Sequence, residues 1–214
     1  MCANYRPPDR ARLDRIASFR WLVERDFPAE AYPGSPAPML RRAADGDFQW
    51  SVGVFGLVPP WAKDLRFARH TYNARSETVA SKPSYRSAWR KGQFCLVPMM
   101  AFYEPSYASG KAVRWRIERE DAQVFMVAAI WDAWKGSSSE WTLSFSLLTV
   151  NATAHPLMSQ FHGPEDEKRS IALADSEWLS AAPADALALL NLPSARAFTS
   201  SADPRAARSA AKAV

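Results

Sequence analysis

The stretches QVFMVAAIWDAW (residues 123–134) and EWTLSFSLLTV (residues 140–150) are apolar, aromatic and β-branched, and between them KGSSSEW (residues 135–141) has the composition of a hairpin turn. Two such runs joined by a short polar link read as paired strands. Further runs of the same kind lie upstream: PMLRR (38–42), DFQWSVGVFGLVP (47–59), GQFCLVPM (92–99) and AVRWRIERE (112–120). Five or six strands in series, without regular alternation with helices, call for a mainly antiparallel sheet or barrel-like core with flanking helices, an α+β chain. Leu13, Ile16, Phe19, Leu22 and Val23 recur at three- and four-residue steps, predicting a helix from Asp9 to Phe27 that Pro28 ends. FPAEAYPGSPAP (27–38) follows as an extended loop, and DSEWLSAAPADALALLNL (175–192) reads as a helical segment broken by Pro183. One domain over residues 1–198 and a basic, Ala-rich, loose tail over 199–214 are expected.

Composition narrows the function classes. Hydrophobic residues make up 48% and charged residues 23% of the 214, ordinary for a soluble globular chain. No apolar run approaches the ~20 residues of a membrane helix, and an opening with Arg6, Asp9, Arg10, Arg12 and Asp14 has no signal-peptide core. A cytoplasmic protein is expected, nucleoid-associated if bacterial. Two cysteines make no disulfide framework, and three histidines show no close ligand spacing, so no metal and no cofactor are expected, with His155 and His162 left open as a pair. A net charge of +5 favours an acidic partner. Trp61, Lys63, Arg66 and Arg69, and again Tyr85, Arg86, Trp89, Arg90 and Lys91, interleave aromatics with cations, which suits a single-stranded nucleic-acid groove as well as a core. Gly-rich phosphate loops are absent.

Polar residues concentrate in FGLVPPWAK (55–63), HTYNARSETV (70–79), QFCLVPMMAFYEP (93–105) and SLLTVNATAHPLMSQFHGP (146–164). Glu104 follows an apolar run, so it should end a strand among hydrophobic neighbours that raise its pKa into proton-transfer range; pairing with Arg75 is the structural alternative. Asn73, Arg75 and Glu77 share one face if their segment is extended, and a helix start capped by Ser76 is the other reading. Cys2 follows the initiator methionine. A chain end is a poor place for a core residue, yet a small buried hydrophobe is one reading of a free cysteine. Cys95 and His155 read as structural.

Cys2, FGLVPPWAK, NARSET, CLVPMMAFYE, AAIWD and LLTVNATAHPLMSQFH, in this order over Met1 to about Leu173, resemble the SRAP family, the SOS-response-associated peptidases also described as abasic-site processing proteins. The resemblance implies a sensor of abasic sites in single-stranded DNA that cross-links to the lesion through its N-terminal cysteine and shields it, with possible lyase and autoproteolytic activity. It implies Cys2 as nucleophile, Asn73 and Glu104 as its partners and His162 as the site histidine. DNA contacts are implied for Arg75, Trp61 and Thr149, with Arg86 and Pro33 as further candidates. The partner is thus single-stranded DNA carrying abasic sites, with no membrane, and a monomer is expected. Only a cysteine whose own α-amine is free can close a five-membered thiazolidine on an aldehyde, so Met1 must be removed. An α-amine of ordinary pKa about 7.7–8.0 keeps a neutral fraction near pH 7. Three departures stand out: Ala3 and Asn4 replace the family's Gly-Arg, Pro105 follows Glu104, and Gly163, Pro164, Glu165 and Asp166 replace a cationic run after His162. An N-terminal-nucleophile peptidase and a non-catalytic single-strand-binding module are the alternatives.

Overall fold

The computed structural model describes residues 2–22, 25–136 and 140–205. In chain order these form β1 (Tyr5–Arg6), α1 (Arg10–Ile16), β2 (Pro36–Arg42), β3 (Phe48–Phe55), β4 (Asn73–Arg75), α2 (Arg86–Arg90), β5 (Phe94–Met99), β6 (Ala101–Ser106), β7 (Val113–Arg119), β8 (Phe125–Lys135), β9 (Trp141–Asn151), β10 (Arg169–Ile171) and β11 (Phe198–Ala202), with short 3₁₀ turns between several of them. Strands β9, β3, β2, β5 and β8 hydrogen-bond in that order, and β8 returns to β9, so five strands close a barrel. All its pairings are antiparallel except β3 with β9. Short β4 and β10 extend β9, and a second sheet runs β1, β6, β7, β11. The α+β reading, a mainly antiparallel barrel-like core with flanking helices, holds.

Barrel strands are apolar on both faces because both are covered. Met39, Cys95, Val97, Val127, Ala129, Phe145 and Leu147 join a core shared with Phe102 and Ile117 of the second sheet. Their neighbours Leu40, Phe94, Leu96, Ala128, Ile130 and Leu148 face an outer layer of Leu13, Trp89 and Trp178. The Trp178 indole N–H reaches the Cys95 and Ala129 carbonyls at 3.0 and 3.1 Å, tying that layer to two barrel strands. Strands β8 and β9 pair from Ala129↔Leu147 to Lys135↔Trp141; residues 137–139 of the expected turn lie outside the described residues.

Several expectations need correction. The helix from Asp9 ends at Ile16, where Ala17 turns extended at φ −156°. Beyond it, Arg20 and Leu22 exchange backbone hydrogen bonds with Trp50, and Phe19 packs edge-on to Phe48. The apolar spacing was satisfied by a segment laid along β3; Val23 lies outside the described residues. The broken helical segment at 175–192 is two 3₁₀ turns, Ser176–Ser180 and Ala186–Leu189. Thr199–Ala202, expected to be loose, pair with β7, so the folded part runs past Phe198; residues 206–214 lie outside the described residues. Glu104 does not end β5: the chain bends at Met100, whose N–H binds the Arg6 carbonyl, and Glu104 stands inside β6 of the other sheet.

Candidate functional site

The N-terminal segment is held rather than frayed. Tyr5 pairs with Phe102, the Tyr103 N–H binds the Asn4 carbonyl at 3.1 Å, and Cys2 is thereby carried alongside β6 with 1% of its surface exposed. Its thiol donates to the Asn4 carbonyl at 3.4 Å. Burial, reinforced by the nearby Glu104 carboxylate, pushes the thiol up to about 12, so it stays protonated at neutral pH. Asn73, first residue of β4, donates its side-chain amide to the Cys2 carbonyl at 2.9 Å, and Tyr85 fixes Asn73 by a 3.0 Å bond to its carbonyl.

Glu104 and His162 meet at the same place. Glu104 is 1% exposed, and burial lifts its carboxyl to about 7. His162 Nδ1 is 3.6 Å from Glu104 Oε2, while Nε2 lies 2.9 Å from the Arg169 carbonyl. A carbonyl only accepts, so Nε2 carries the proton and Nδ1 turns its lone pair toward Glu104. Burial lowers the His162 pKa, leaving the ring neutral near pH 7. His162 has φ of +69°, a left-handed conformation uncommon for a side chain of this size, and its N–H binds the Pro105 carbonyl at 2.8 Å. Cys2, Asn73, Glu104 and His162, far apart in sequence, converge. A cleft of about 630 Å³ opens on Glu104, lined also by Asn4, Tyr103, Val113, Arg114 and Arg205.

Arg75 stands opposite Thr149 in the β4–β9 pairing. It does not pair with Glu104; its guanidinium is 3.1 Å from Glu167. Glu167 also binds Arg169, which is 2% exposed and bonds Glu77 at 2.7 Å and the Thr149 hydroxyl at 3.2 Å. Thr149 is fully buried and its hydroxyl points to Ala74 O at 3.4 Å, inward rather than toward solvent. Sequence reading missed Arg169 and Glu167, because PEDEKR (164–169) has the look of a solvated charge run, and Arg114, because AVRWRIERE (112–120) reads only as a strand.

The other candidates are dispersed. Trp61 is 57% exposed, edge-on to Phe67, in a shallow cleft with Lys63, Arg66 and His70. Arg86 is exposed at the start of α2, and Pro33 sits half-buried in the Tyr32–Ser35 turn. His155 accepts backbone N–H groups from Leu157 and Met158, so it closes a turn and does not pair with His162. Cys95 is fully buried in β5. Among the described residues no cluster of three His, Cys, Asp or Glu side chains could hold a metal ion, and no helix is long and apolar enough to cross a membrane.

Residues 14–200 match the family profile described as SOS response associated peptidase (SRAP). The chain belongs to the SRAP family. Among SRAP relatives, the abasic site processing protein YoqW of Bacillus subtilis is 28% identical over 139 residues, 63% of this chain and 57% of YoqW. The abasic site processing protein HMCES of Gallus gallus is 30% identical, with 67% of this chain and 55% of HMCES aligned. The chain thus spans little more than half the length of these relatives. A crystal structure of a Bordetella bronchiseptica protein superposes with a TM-score of 0.86 at 30% identity, covering 95% of this chain and 100% of that one. One from Bacteroides thetaiotaomicron shares the fold at a TM-score of 0.78 and 20% identity.

Proposed function

We propose that this SRAP protein captures abasic sites in single-stranded DNA by closing a thiazolidine between Cys2, once Met1 is removed, and the C1′ aldehyde of the ring-opened sugar. The observation that carries the reading is the convergence of Asn73 and Glu104 on the buried Cys2, a residue otherwise free to fray. Relatives named abasic site processing proteins lend it weight.

The chemistry follows from protonation states. The neutral α-amine of Cys2 attacks the aldehyde carbon, and Glu104, half protonated near pH 7, gives its proton to the oxygen that leaves as water. The sulfur then adds to the iminium carbon while its proton passes to the Glu104 carboxylate, restoring the acid. His162 Nδ1 is placed to share that proton. Asn73 holds the Cys2 carbonyl, so the amine and thiol turn toward one carbon. A thiol lifted to about 12 holds no thiolate at rest, so peptide cleavage would need a base to take its proton in the step. Arg75 would take a flanking phosphate, with Trp61, Arg86 and Pro33 as further exposed contacts and Thr149 supporting β4 from beneath. Strand cleavage at the lesion would be a minor branch of the same imine.

The test is a denaturing gel with an abasic single strand. A heat-stable shifted band, abolished when methoxyamine first caps the aldehyde, supports the reading. A shift indifferent to methoxyamine overturns it.

A further inference from the structure

Arg75 and Asn73 lie two residues apart on one face of β4, roughly 7 Å along the strand. A phosphate on Arg75 therefore belongs to the nucleotide chain whose lesion lies at Cys2. That position is already taken by an anion: Glu167 Oε2 is 3.1 Å from Arg75 Nη2, with the two side chains 53% (Arg75) and 38% (Glu167) exposed. Its other oxygen, Oε1, binds Arg169 Nη1 at 2.5 Å and lies 3.5 Å from the Asn151 amide. Arg169 is buried and further held by Glu77, the Thr149 carbonyl and the Thr149 hydroxyl. The two halves of this bridge differ in kind. The Arg169 half is enclosed and costly to break; the Arg75 half is wet, screened and cheap to open. Because Arg169 keeps Glu167 paired, releasing Arg75 leaves no orphaned carboxylate.

We propose that Glu167 is a resident competitor for the DNA phosphate on Arg75, lowering affinity for intact single strands. The proposal rests on the reading of this chain as a single-strand binder. An undamaged strand must displace Glu167 with noncovalent contacts alone, whereas a strand tethered at Cys2 offers its flanking phosphate at high local concentration. Glu167 thus biases retention toward lesions.

Fluorescence anisotropy with a fluorescein-labelled, unmodified single-stranded oligonucleotide at low salt tests it. Glu167→Gln should bind about two- to five-fold more tightly than the wild type, the gain shrinking as salt rises. In an Arg75→Ala background the gain should vanish. Glu165→Gln, which removes an equal charge two residues away, and Glu77→Gln, which loosens Arg169 alone, should give clearly less. Should Glu167→Gln unfold, Glu167→Asp, too short to span both guanidiniums, replaces it with the same expectation. No gain from Glu167→Gln, or a gain that persists without Arg75, overturns the competition while leaving single-strand binding intact. Failure of the wild type itself to bind the oligonucleotide overturns the underlying reading and the inference with it.

Discussion

His162 Nδ1 faces Glu104 Oε2 at 3.6 Å while the opposite ring nitrogen gives its proton to the Arg169 carbonyl at 2.9 Å. Burial moves the two groups in opposite directions, Glu104 up to about 7 and His162 downward, so just below neutrality both favour their neutral forms. One proton can then serve both groups without placing a net charge in the core.

This arrangement sets the pH dependence of stability. Because Glu104 is raised on folding, the native state holds the extra proton between the ordinary carboxylate value of about 4.3 and about 7; its contribution is full below that window and lost as pH rises through it. His162 acts oppositely: its contribution is present above about 6.5 and lost as pH falls through its lowered folded value. Glu104→Gln should therefore remove a stability decline on the order of 3 kcal/mol between pH 4.5 and 7.5. Urea unfolding across that range checks it, and identical slopes for variant and wild type would contradict it.

The same variant should slow adduct formation about 10²- to 10⁴-fold at pH 7, the usual worth of a positioned acid-base group. Single-turnover rates on an abasic oligonucleotide measure this. A rate within a factor of two of the wild type would remove Glu104 from the chemistry.

Asn73→Ala deletes the bond to the Cys2 carbonyl and leaves a buried acceptor bare, a loss of about 1–3 kcal/mol in stability. Adduct formation should fall at least about tenfold, because the amine and thiol lose their common orientation. Thermal melting and the same rate assay separate the two effects.

Trp178 lies remote from this chemistry. Trp178→Ala should cost about 3–5 kcal/mol by opening the layer between α2 and β5, and Trp178→Phe less, about 0.5–1.5 kcal/mol, for the lost indole bond to the Cys95 and Ala129 carbonyls. Below their melting temperatures both variants should form adduct at the wild-type rate.

Gly56 is required by space as well as conformation. Its φ is +113°, and a Cβ there would stand 2.0 Å from the Ala68 carbonyl oxygen, so Gly56→Ala should be strongly destabilised or insoluble. Circular dichroism melting of the purified variant is the check.

Much of this was legible in the sequence because the strands announce themselves. Runs such as CLVPM and VAAI are apolar at every position, the mark of strands covered on both faces, and barrel closure supplies the two covers. Short β1, β4 and β10 gave no such signal: two or three residues carry no period, and their pairing is set by β6 and β9. The helix beyond Ile16 failed because three- and four-residue apolar spacing also suits a segment bonded to Trp50. Cys2, Asn73, Glu104 and His162 could be chosen from residue type and resemblance. The Glu167–Arg169 bridge could not, since a burial of 2% inside a charge run is decided by tertiary packing over Thr149.

The most direct test of the central claim is the intact mass of the purified protein after reaction with a single-stranded oligonucleotide carrying one abasic site, alongside Cys2→Ala and a sample retaining Met1. The account predicts one new species in the processed wild type alone, equal to protein plus DNA less one water. The same species from Cys2→Ala or from the Met1-bearing protein, or none from wild type with Met1 verifiably removed, would contradict it.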